Sequence, residues 1–506
     1  MTDRSTELPA GLTRKTGGVV RLAPMQVAIL AVLLAAGGVL EAGRLSALAS
    51  PDIWRHLSVG NWILNHGSVP RNILFSQSAQ VHWVDDTWLF DLLTAAAVKT
   101  FGLRGLPLLD MAFNLVIGLA VFLLARGERR GFWSGAVLSA IAMYVIAGRP
   151  LLSSVASVLL FAIVLTLMTR SRTAGSQRDL YWLPLIFLLC ANLDIQYVYG
   201  LMAVVLYLLV EIAKPLVRQS SSSEHDPGSP RMPWITTAVV TVASLAATLC
   251  NPYGYRLWGT AVRSISISSV DLYLPEMHSL RFRQPQDYVL LLFVMTAYFA
   301  VGRRHARDLY SLLLLTVCSI VSFHLQRDAW LAAIAAVAVL THALDATSSE
   351  AHNVSASTAP WVVPVAALGA TVVLLAAFVL RVPASRDTLM AKVSEGFPVR
   401  ACDYIRRQAL PNPIFNSYDW GSFLTWYLPE YPVSIDGRAD AYGEETTLEY
   451  FKVTTGQVPL SADPALSGAA TILLAADSEM GKALSILPGY RQVYFDDEAM
   501  VLVRQN

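Results

Sequence analysis

The feature that most constrains this chain is a series of apolar segments, each close to the length that crosses a bilayer. A helix needs about 20 apolar residues to cross a hydrocarbon core of about 30 Å. Such segments recur between residues 25 and 381, where only helices could satisfy the backbone polar groups inside lipid. Charged residues make up 15% of the 506 residues, against about 25% in soluble proteins, which favours a polytopic membrane protein.

The apolar segments predict an all-α membrane domain of about eleven transmembrane helices. They lie near residues 25–42, 105–125, 132–148, 151–169, 181–195, 197–215, 234–250, 288–302, 309–325, 329–344 and 361–381. Basic residues collect before the first segment and in alternate connections, which the positive-inside rule places in the cytoplasm. The N-terminus is therefore predicted to be cytoplasmic, and the chain after about residue 382 to lie on the opposite face.

The connection after the first apolar segment, about residues 43–104, is predicted to be a large external loop. Its stretch from Ser50 to Asp91 is too polar to span a membrane and is rich in acids, imidazoles and indoles. Asp52 and Asp85 are candidate catalytic residues there, since a carboxylate can accept a proton from a hydroxyl or hold a divalent cation against a phosphate. The alternative is helix capping, with Ser50 or Asp52 starting WRHLSVGNWIL and Asp86 starting the next helix.

Polar residues from other parts of the sequence fall on the same predicted face. Asp194 ends an apolar segment, and an ionisable residue at membrane depth indicates a functional site unless lipid headgroups solvate it. Arg149 and Arg327 are cations on a face that should be poor in them, which an anionic ligand such as a lipid phosphate would explain. Headgroup contact or pairing with Glu276 or Asp328 is the alternative.

Residues 385–506 change character and form a predicted second domain, after a membrane domain at residues 1–384. Strand patterns alternate with short helix patterns, which predicts a small extracytoplasmic α/β domain with a largely parallel sheet. YPVSIDGR is predicted to be one of its strands. The polar run IDGRADAYGEE follows directly and fits a ligand site at the carboxyl ends of strands, although a solvated loop explains it equally.

Several classes of protein are excluded by what the sequence lacks. Net charge is +1, which gives no electrostatic footprint for nucleic acid. The four cysteines form no CxxC pair, and the histidines follow no zinc-site spacing. The metalloprotease, dinucleotide-binding, P-loop and nucleophile-elbow motifs are absent as well.

Several of these motifs together resemble the GT-C superfamily of polytopic glycosyltransferases, and more closely a bacterial group of GT-C-like membrane proteins. In chain order they are PDIWRHLSVGNWIL, WVDDTWLFD, GRP at 148–150, ANLD at 191–194, NPYG at 251–254, Arg327-Asp328, IFNSYDWGSFLTWYLP and SIDGRADAYGEE. Each motif alone is weak, but in this order they cover most of the chain. The resemblance implies a multi-pass protein of the bacterial plasma (inner) membrane.

The resemblance also implies a reaction. A polyprenyl-phosphate sugar donor would enter from the bilayer, and the sugar would pass to a glycan, lipid or protein acceptor on the non-cytoplasmic side. Asp52 matches the essential acid of the first external loop in such proteins. Ser50-Pro51-Asp52 stands where Asp-Pro-Asp is expected, so one acid of a possible Mg or Mn pair is missing.

The predicted site follows from these inferences. Asp52, as base or acceptor-orienting group, is predicted to be catalytic together with Asp85 and Asp194. An arginine would stabilise the departing phosphate, and loop indoles would stack on a sugar. The predicted substrate-binding residues are Trp54, Arg55, His56, Trp83, Arg149, Glu276 and Arg327. No residue is assigned as a metal ligand.

Two other functions remain open at this stage. A non-catalytic assembly protein could bind glycan or lipid through the C-terminal domain and would tolerate substitution of the first-loop acid. A transporter or lipid flippase would favour internal repeats and broken helices with charges near mid-membrane. The sequence shows no clear internal repeat, and its ionisable residues collect at one face.

Overall fold

The structure is a computed structural model. It describes residues 45–127, 132–147, 155–174, 177–218, 233–265, 268–303, 308–345, 362–383 and 385–505, with part of the chain between residues 26 and 38. Arg149, the GRP motif at 148–150 and most of the first apolar segment, residues 25–42, lie outside these ranges.

The first part of the chain is helical. Its helices are α1 Ser46–Ala49, α2 Pro51–His66, α3 Trp88–Phe101, α4 Gly105–Arg126, α5 Phe132–Ala147, α6 Val155–Ala174, α7 Leu183–Leu193, α8 Tyr197–Arg218, α9 Pro233–Ala247, α10 Arg256–Ile265, α11 Pro285–Gly302, α12 Leu309–His324, α13 Ala329–Asp345 and α14 Val362–Arg381. Single 3₁₀ turns lie at Gly102–Arg104, Gln177–Trp182, Ser269–Leu272, Pro275–Met277 and Gln326–Asp328.

The described helices agree with a multi-pass membrane protein. Five stretches of the described chain are long and apolar enough to cross a bilayer: Trp88–Arg126, Val155–Thr173, Tyr197–Lys214, Pro285–Gly302 and Gln326–Leu344. Shorter apolar helices occupy Phe132–Ala147, Trp234–Ala247 and Leu309–His324. The total of about eleven spans stays a prediction. The stretch Trp88–Arg126 contains both α3 and α4. The sequence interpretation had assigned α3 to the external loop and α4 to a transmembrane span.

Helix α13 lies at the centre of the helical bundle. It packs against α4, α5, α6, α11 and α12. Residues Ala329 to Val337 are almost completely buried, and most of them are alanines. Small side chains let neighbouring backbones approach closely, so van der Waals packing rather than exclusion of water can hold such helices together in lipid. Large apolar side chains on the outer helices, such as Phe299 and Val242, are exposed instead.

The C-terminal part is a small α/β unit. Its elements are α15 Arg386–Val393, α16 Val399–Gln408, β1 Ile414–Asn416, α17 Tyr418–Tyr427, α18 Ala439–Tyr442, α19 Glu444–Thr454, α20 Pro464–Gly468, β2 Thr471–Ala475, α21 Glu479–Ser485, β3 Tyr490–Phe495 and β4 Ala499–Arg504, with a 3₁₀ turn at Leu460–Ala462. The strand order is β1-β2-β4-β3. The division between residues 384 and 385 stays a prediction.

Two predictions about this sheet are wrong. β1 and β2 pair in parallel, but β4 pairs antiparallel with both β2 and β3, so the sheet is not largely parallel. YPVSIDGR forms no strand, because its polar backbone groups bond elsewhere. Val433 N–H donates to Phe75 O at 3.0 Å, and Ser434 N–H donates to the Asn416 side chain at 2.9 Å. The segment is therefore tied to the loop after α2.

Helix α2 is packed between α3 and α17. A Cβ on Gly60 would lie 2.0 Å from the Asp91 backbone oxygen, so only glycine allows α2 and α3 to approach this closely. On the α17 side, Trp54 is fully buried and stacks on Trp426 with ring centroids 4.5 Å apart. Thr425 Oγ1 also donates to Ser58 Oγ at 3.0 Å. The loop helix and the C-terminal unit thus share one core.

Replacing Gly60 should destabilise this core. Gly60→Ala forces α2 and α3 apart and is expected to cost about 1–3 kcal/mol of folding free energy. Gly369→Ala is the matched control, because Gly369 is also inside a helix and has open space where its Cβ would lie. Thermal unfolding of the detergent-purified protein would measure both. Equal melting temperatures for the two variants would contradict the close approach.

Candidate active site

Asp52 lies at the second position of α2, directly after Pro51. Ser50 is the N-cap residue, as the capping alternative predicted, but its side chain makes no capping hydrogen bond, and Asp52 is not the N-cap. The Asp52 side chain is half-buried. Its Oδ1 atom lies 3.2 Å from where a Cβ on Gly437 would be, so the absence of a side chain at Gly437 leaves room for the carboxylate.

Arg55 is the positive centre of the site and follows Asp52 by one helical turn, on the same face of α2. Burial opposes its charge, yet the pKa of the guanidinium is raised by four surrounding acids: Asp91, Asp52, Asp85 and Asp86. The side chain is surrounded by protein but only half-buried from solvent. Solvent therefore reaches Arg55, and we refer to the space beside Arg55 and Asp52 as the cavity.

Two further acids face this cavity from opposite sides. Burial raises the pKa of Asp86 well above its usual value, and the charge of Asp440 raises it further. Burial also raises the pKa of Asp440, whereas Arg55 and Arg438 lower it. Asp440 follows the IDGR segment, so the C-terminal unit supplies one wall. Asp86 was expected to cap the next helix, but the N-cap of α3 is Thr87.

A connection between α10 and α11 brings Glu276 to the same cavity. Partial burial raises the pKa of Glu276, as do the charges of Asp52 and Asp419, while Arg327 lowers it. Asp419 lies in the first turn of α17. Three separate parts of the chain thus bring their charges close to Asp52.

This connection is attached at both ends. Toward the C-terminal unit, Tyr273 stacks on Phe451 with ring centroids 5.1 Å apart, and Ser269 N–H donates to Glu444 Oε1 at 2.8 Å. Toward the membrane helices, Gln326 Nε2 donates to Pro275 O at 2.7 Å, and Leu280 N–H donates to Phe323 O at 3.0 Å. Glu276 is therefore carried by a segment with fixed ends.

A buried network lies behind Arg55. His56 Nδ1 is 2.6 Å from Asp91 Oδ1, both side chains are fully buried, and Thr87 Oγ1 donates to the same carboxylate oxygen at 3.1 Å. Burial lowers the pKa of His56 well below its usual value, and Arg55 lowers it further. Arg55 Nη2 lies 3.3 Å from His56 Nε2, so that nitrogen accepts and the imidazole proton lies on Nδ1. Asp91 and His56 together orient Arg55.

Asp85 belongs to this buried layer. Its side chain is fully buried, and burial followed by the Asp91 charge raises its pKa well above the usual value. A carboxyl so placed favours its neutral form at neutral pH. Asp85 therefore adds less negative charge around Arg55 than its residue type implies.

The wall that carries Gly437 is fixed by a buried ion pair. Arg438 Nε donates to Asp436 Oδ1 at 2.9 Å, and Arg438 Nη2 donates to Leu74 O at 2.9 Å. The guanidinium lies 5.0 Å from the centre of the Trp83 ring. Although burial opposes ionisation, Arg438 lowers the pKa of Asp436. The IDGR segment is thus fixed to the loop that precedes α3.

The remaining predicted residues divide into two groups. Asp194 is buried at the end of α7 and accepts from Gln196 N–H at 3.1 Å, while Gln196 Nε2 donates to Asp328 at 3.0 Å. Arg327 lies next to Asp328, with its Nε 3.5 Å from the carboxylate, so Asp194, Gln196, Arg327 and Asp328 form one polar group. Trp54 and Trp83 are enclosed by protein, with 0% and 5% of their surfaces exposed, so neither presents a ring face to a sugar.

Sequence reasoning missed two features of the site: Asp91 as the partner of His56, and the contact of Gly437 with Asp52. Asp419, Asp436, Arg438 and Asp440 had been noticed only as a possible separate site at strand ends. The glycine in SIDGR is the sequence signal that could have linked these residues to Asp52, since a residue without a side chain permits close approach of another group.

No family model matches the sequence, and no curated protein matches it. Among solved structures, ArnT from Cupriavidus metallidurans bound to undecaprenyl phosphate is 17% identical, with a TM-score of 0.47 over 93% of this chain and 97% of that chain. Its apo state is 16% identical, with a TM-score of 0.46 over the same shares. Arabinofuranosyltransferase AftD from Mycobacteria is 13% identical, with a TM-score of 0.45 over 96% of this chain and 40% of AftD.

The three likenesses extend over most of this chain, at sequence identities of 13–17% and TM-scores below 0.5.

Breaking the buried ion pair should destabilise the protein strongly. Arg438→Met leaves Asp436 charged and buried without its partner, which is expected to cost about 3–5 kcal/mol. Arg406→Met is the control, because Arg406 and Glu430 form a pair whose side chains are each 43% exposed. Such exposed pairs contribute about 0–1 kcal/mol. Thermal unfolding would compare the two variants, and a similar small loss in both would contradict the role of Asp436–Arg438.

His56 should make stability depend on pH. Its folded pKa is lowered, so the unfolded chain binds a proton that the folded protein does not, and stability falls as pH drops below about 6.5. In His56→Gln, the melting temperature should change less between about pH 7 and pH 5 than in the wild type. His66→Gln, at an exposed histidine, should keep the wild-type slope. An unchanged slope in His56→Gln would contradict a neutral buried imidazole.

Proposed function

We propose that this chain is an integral-membrane glycosyltransferase. It transfers a sugar from a polyprenyl-phosphate-linked donor to an acceptor hydroxyl in the cavity of Asp52 and Arg55, on the non-cytoplasmic face. The observation that carries this proposal is the pair itself. In a chain with several helices long and apolar enough to cross a bilayer, the Asp52 carboxylate and the Arg55 guanidinium one turn later lie on one face of α2 and are both only half-buried.

Asp52 and Arg55 have complementary roles in the proposed reaction. Asp52 accepts the proton of the acceptor hydroxyl as the acceptor oxygen bonds to the anomeric carbon of the sugar. The bond between that carbon and the phosphate oxygen breaks, and its electron pair stays on the phosphate. Arg55 stabilises the resulting charge, since a guanidinium presents a fixed fork of donors to phosphate oxygens.

An anionic donor must enter a cavity with several acids, which would repel its phosphate if all were ionised. The raised pKa values of these acids reduce that repulsion. The pKa of Asp86 is raised well above its usual value by burial and by Asp440, and burial raises that of Asp440. A raised pKa makes a carboxyl easier to protonate, which reduces the cost of bringing a phosphate close to it. A neutral carboxyl can also donate a hydrogen bond to a sugar or phosphate oxygen.

Arg327 is proposed as a second cation for the donor phosphate. Its charge acts on Glu276, which in turn lies near Asp52. Of the described residues, no group of three or more histidine, cysteine, aspartate or glutamate side chains could hold a metal ion. We assign the phosphate charge to Arg55 and Arg327.

Replacing the base should abolish transfer. Asp52→Asn keeps the shape of the side chain but cannot take the proton, so transfer should fall by about 10²–10⁴-fold. Glu445→Gln is the matched control, since Glu445 is exposed and is also the second residue of its helix, α19. Membranes that contain each variant would be supplied with radiolabelled sugars on undecaprenyl phosphate and related carriers.

The outcomes of this assay separate the hypotheses. Loss of transfer in Asp52→Asn, but not in Glu445→Gln, supports the base assignment. Equal transfer by Asp52→Asn and wild type would overturn that assignment and move the chemistry to Asp85 or Asp194. If the wild type transfers no sugar from any carrier, the proposal gives way to a non-catalytic assembly protein or a transporter.

A further inference from the structure

A second cavity lies away from the Asp52 site, where the 3₁₀ turn Gly102–Arg104 meets α15 and α17. Its volume is about 330 Å³, within the range of small-ligand sites. The residues that line it include Val98, Phe101, Leu103, Arg104, Arg386 and Trp426. Of the described residues that line this cavity, two are arginines and none is acidic. An apolar cavity with two cations fits an anionic amphiphile.

Only some of the hydrogen-bond donors of Arg104 have partners within the protein. Its Nη2 donates to Val382 O at 2.5 Å, just beyond the C-terminal end of α14. Its guanidinium also lies 5.7 Å from the centre of the Phe378 ring. The Nε atom is buried and has no hydrogen-bond partner in the protein. Arg104 therefore keeps a buried donor at this cavity.

Arg386 occupies a position that helix electrostatics disfavours for a cation. It is the first residue of α15 and therefore lies at the positive end of the helix dipole, and its side chain is exposed. A cation there gains nothing from the helix. Both the guanidinium and the helix end attract an anion, which is a reason for an arginine at this position.

The surroundings of the cavity indicate contact with lipid. Val379 and Leu380 lie next to the carbonyl that Arg104 binds, and 62% and 85% of their surfaces are exposed. Phe101 is 55% exposed and lies inside the apolar stretch Trp88–Arg126. Exposed apolar side chains of this size beside an apolar stretch fit acyl chains rather than water. A ligand here can hold its charge on the arginines and its tails on this surface.

We propose that this cavity binds the phosphate headgroup of an anionic membrane phospholipid, with its acyl chains along Val379 and Leu380. Arg104 and Arg386 hold the phosphate, and the apolar wall with Val98, Leu103 and Trp426 holds the glycerol end of the lipid. The lipid stabilises the contact of α15 with the Gly102–Arg104 turn, and so ties the C-terminal unit to the membrane helices. This site is independent of the proposed transfer reaction.

Two variants test the charge and the space separately. Arg386→Gln removes the exposed cation and should weaken phosphatidylglycerol binding about fivefold. Val98→Trp keeps both arginines but fills the cavity from α3 and should abolish binding. Leu93→Trp and Arg491→Gln are the controls, because Leu93 is exposed elsewhere on α3 and Arg491 is exposed on β3. Both controls should bind as the wild type does.

Binding would be measured on the full-length protein by native mass spectrometry and by the shift in melting temperature on adding lipid. The probes are phosphatidylglycerol, phosphatidylcholine, undecaprenyl phosphate and inorganic phosphate. The expected result is retention of phosphatidylglycerol by the wild type and both controls, with weaker retention by Arg386→Gln. If Val98→Trp does not fold, the affinity of Arg386→Gln for phosphatidylglycerol alone tests the proposal.

Four results would overturn the proposal. They are wild-type binding by Arg386→Gln, equal binding of phosphatidylcholine and phosphatidylglycerol, displacement of the lipid by millimolar inorganic phosphate, and retention of undecaprenyl phosphate but not phosphatidylglycerol. The third would identify a site for free phosphate, and the fourth a site for the carrier lipid.

Discussion

The packing of α2 between α3 and α17 is the constraint on which the candidate site depends. Gly60 allows α2 to approach the Asp91 backbone, and Trp54 fills the space toward α17. Because α2 is held on both sides, its first turn is fixed relative to the membrane helices and to the C-terminal unit. Asp52 lies on that turn and Arg55 follows in the next one, so their separation is set by helix geometry rather than by loop conformation.

The electrostatics of the site follow from this packing. Acids from the first loop and from the C-terminal unit surround one guanidinium, and burial shifts the pKa values of Asp85 and Asp86 upward. In open solvent the same acids would all be ionised and would repel a phosphate. Enclosure therefore reduces the negative charge that the residue types alone imply, and the network of Asp91 and His56 keeps the Arg55 guanidinium in place.

Local pattern predicted the apolar helices and most of the C-terminal elements, because these depend on residues close together in sequence. It predicted the alternation of strands and short helices in residues 385–506. It failed for YPVSIDGR, whose apolar character is typical of a strand but whose backbone bonds to the loop at Phe75 and to the Asn416 side chain. The contact of Val433 with Phe75 joins residues more than 300 positions apart and leaves no local signal. For the same reason the sequence indicated Asp52 and Arg55 but not Asp419 or Gly437 beside them.

The attachment of the Glu276 segment limits what can reach Asp52 from that side. Its ends are bonded to α19 through Tyr273 and Ser269, and to α12 and the turn after it through Leu280 and Gln326. Widening this side of the cavity would break an aromatic stack and several hydrogen bonds together, which is a collective motion rather than a side-chain rotation. Rapid side-chain motion thus leaves the Glu276 segment in place, and only a concerted displacement of that segment changes the access of another molecule to Asp52 from this side.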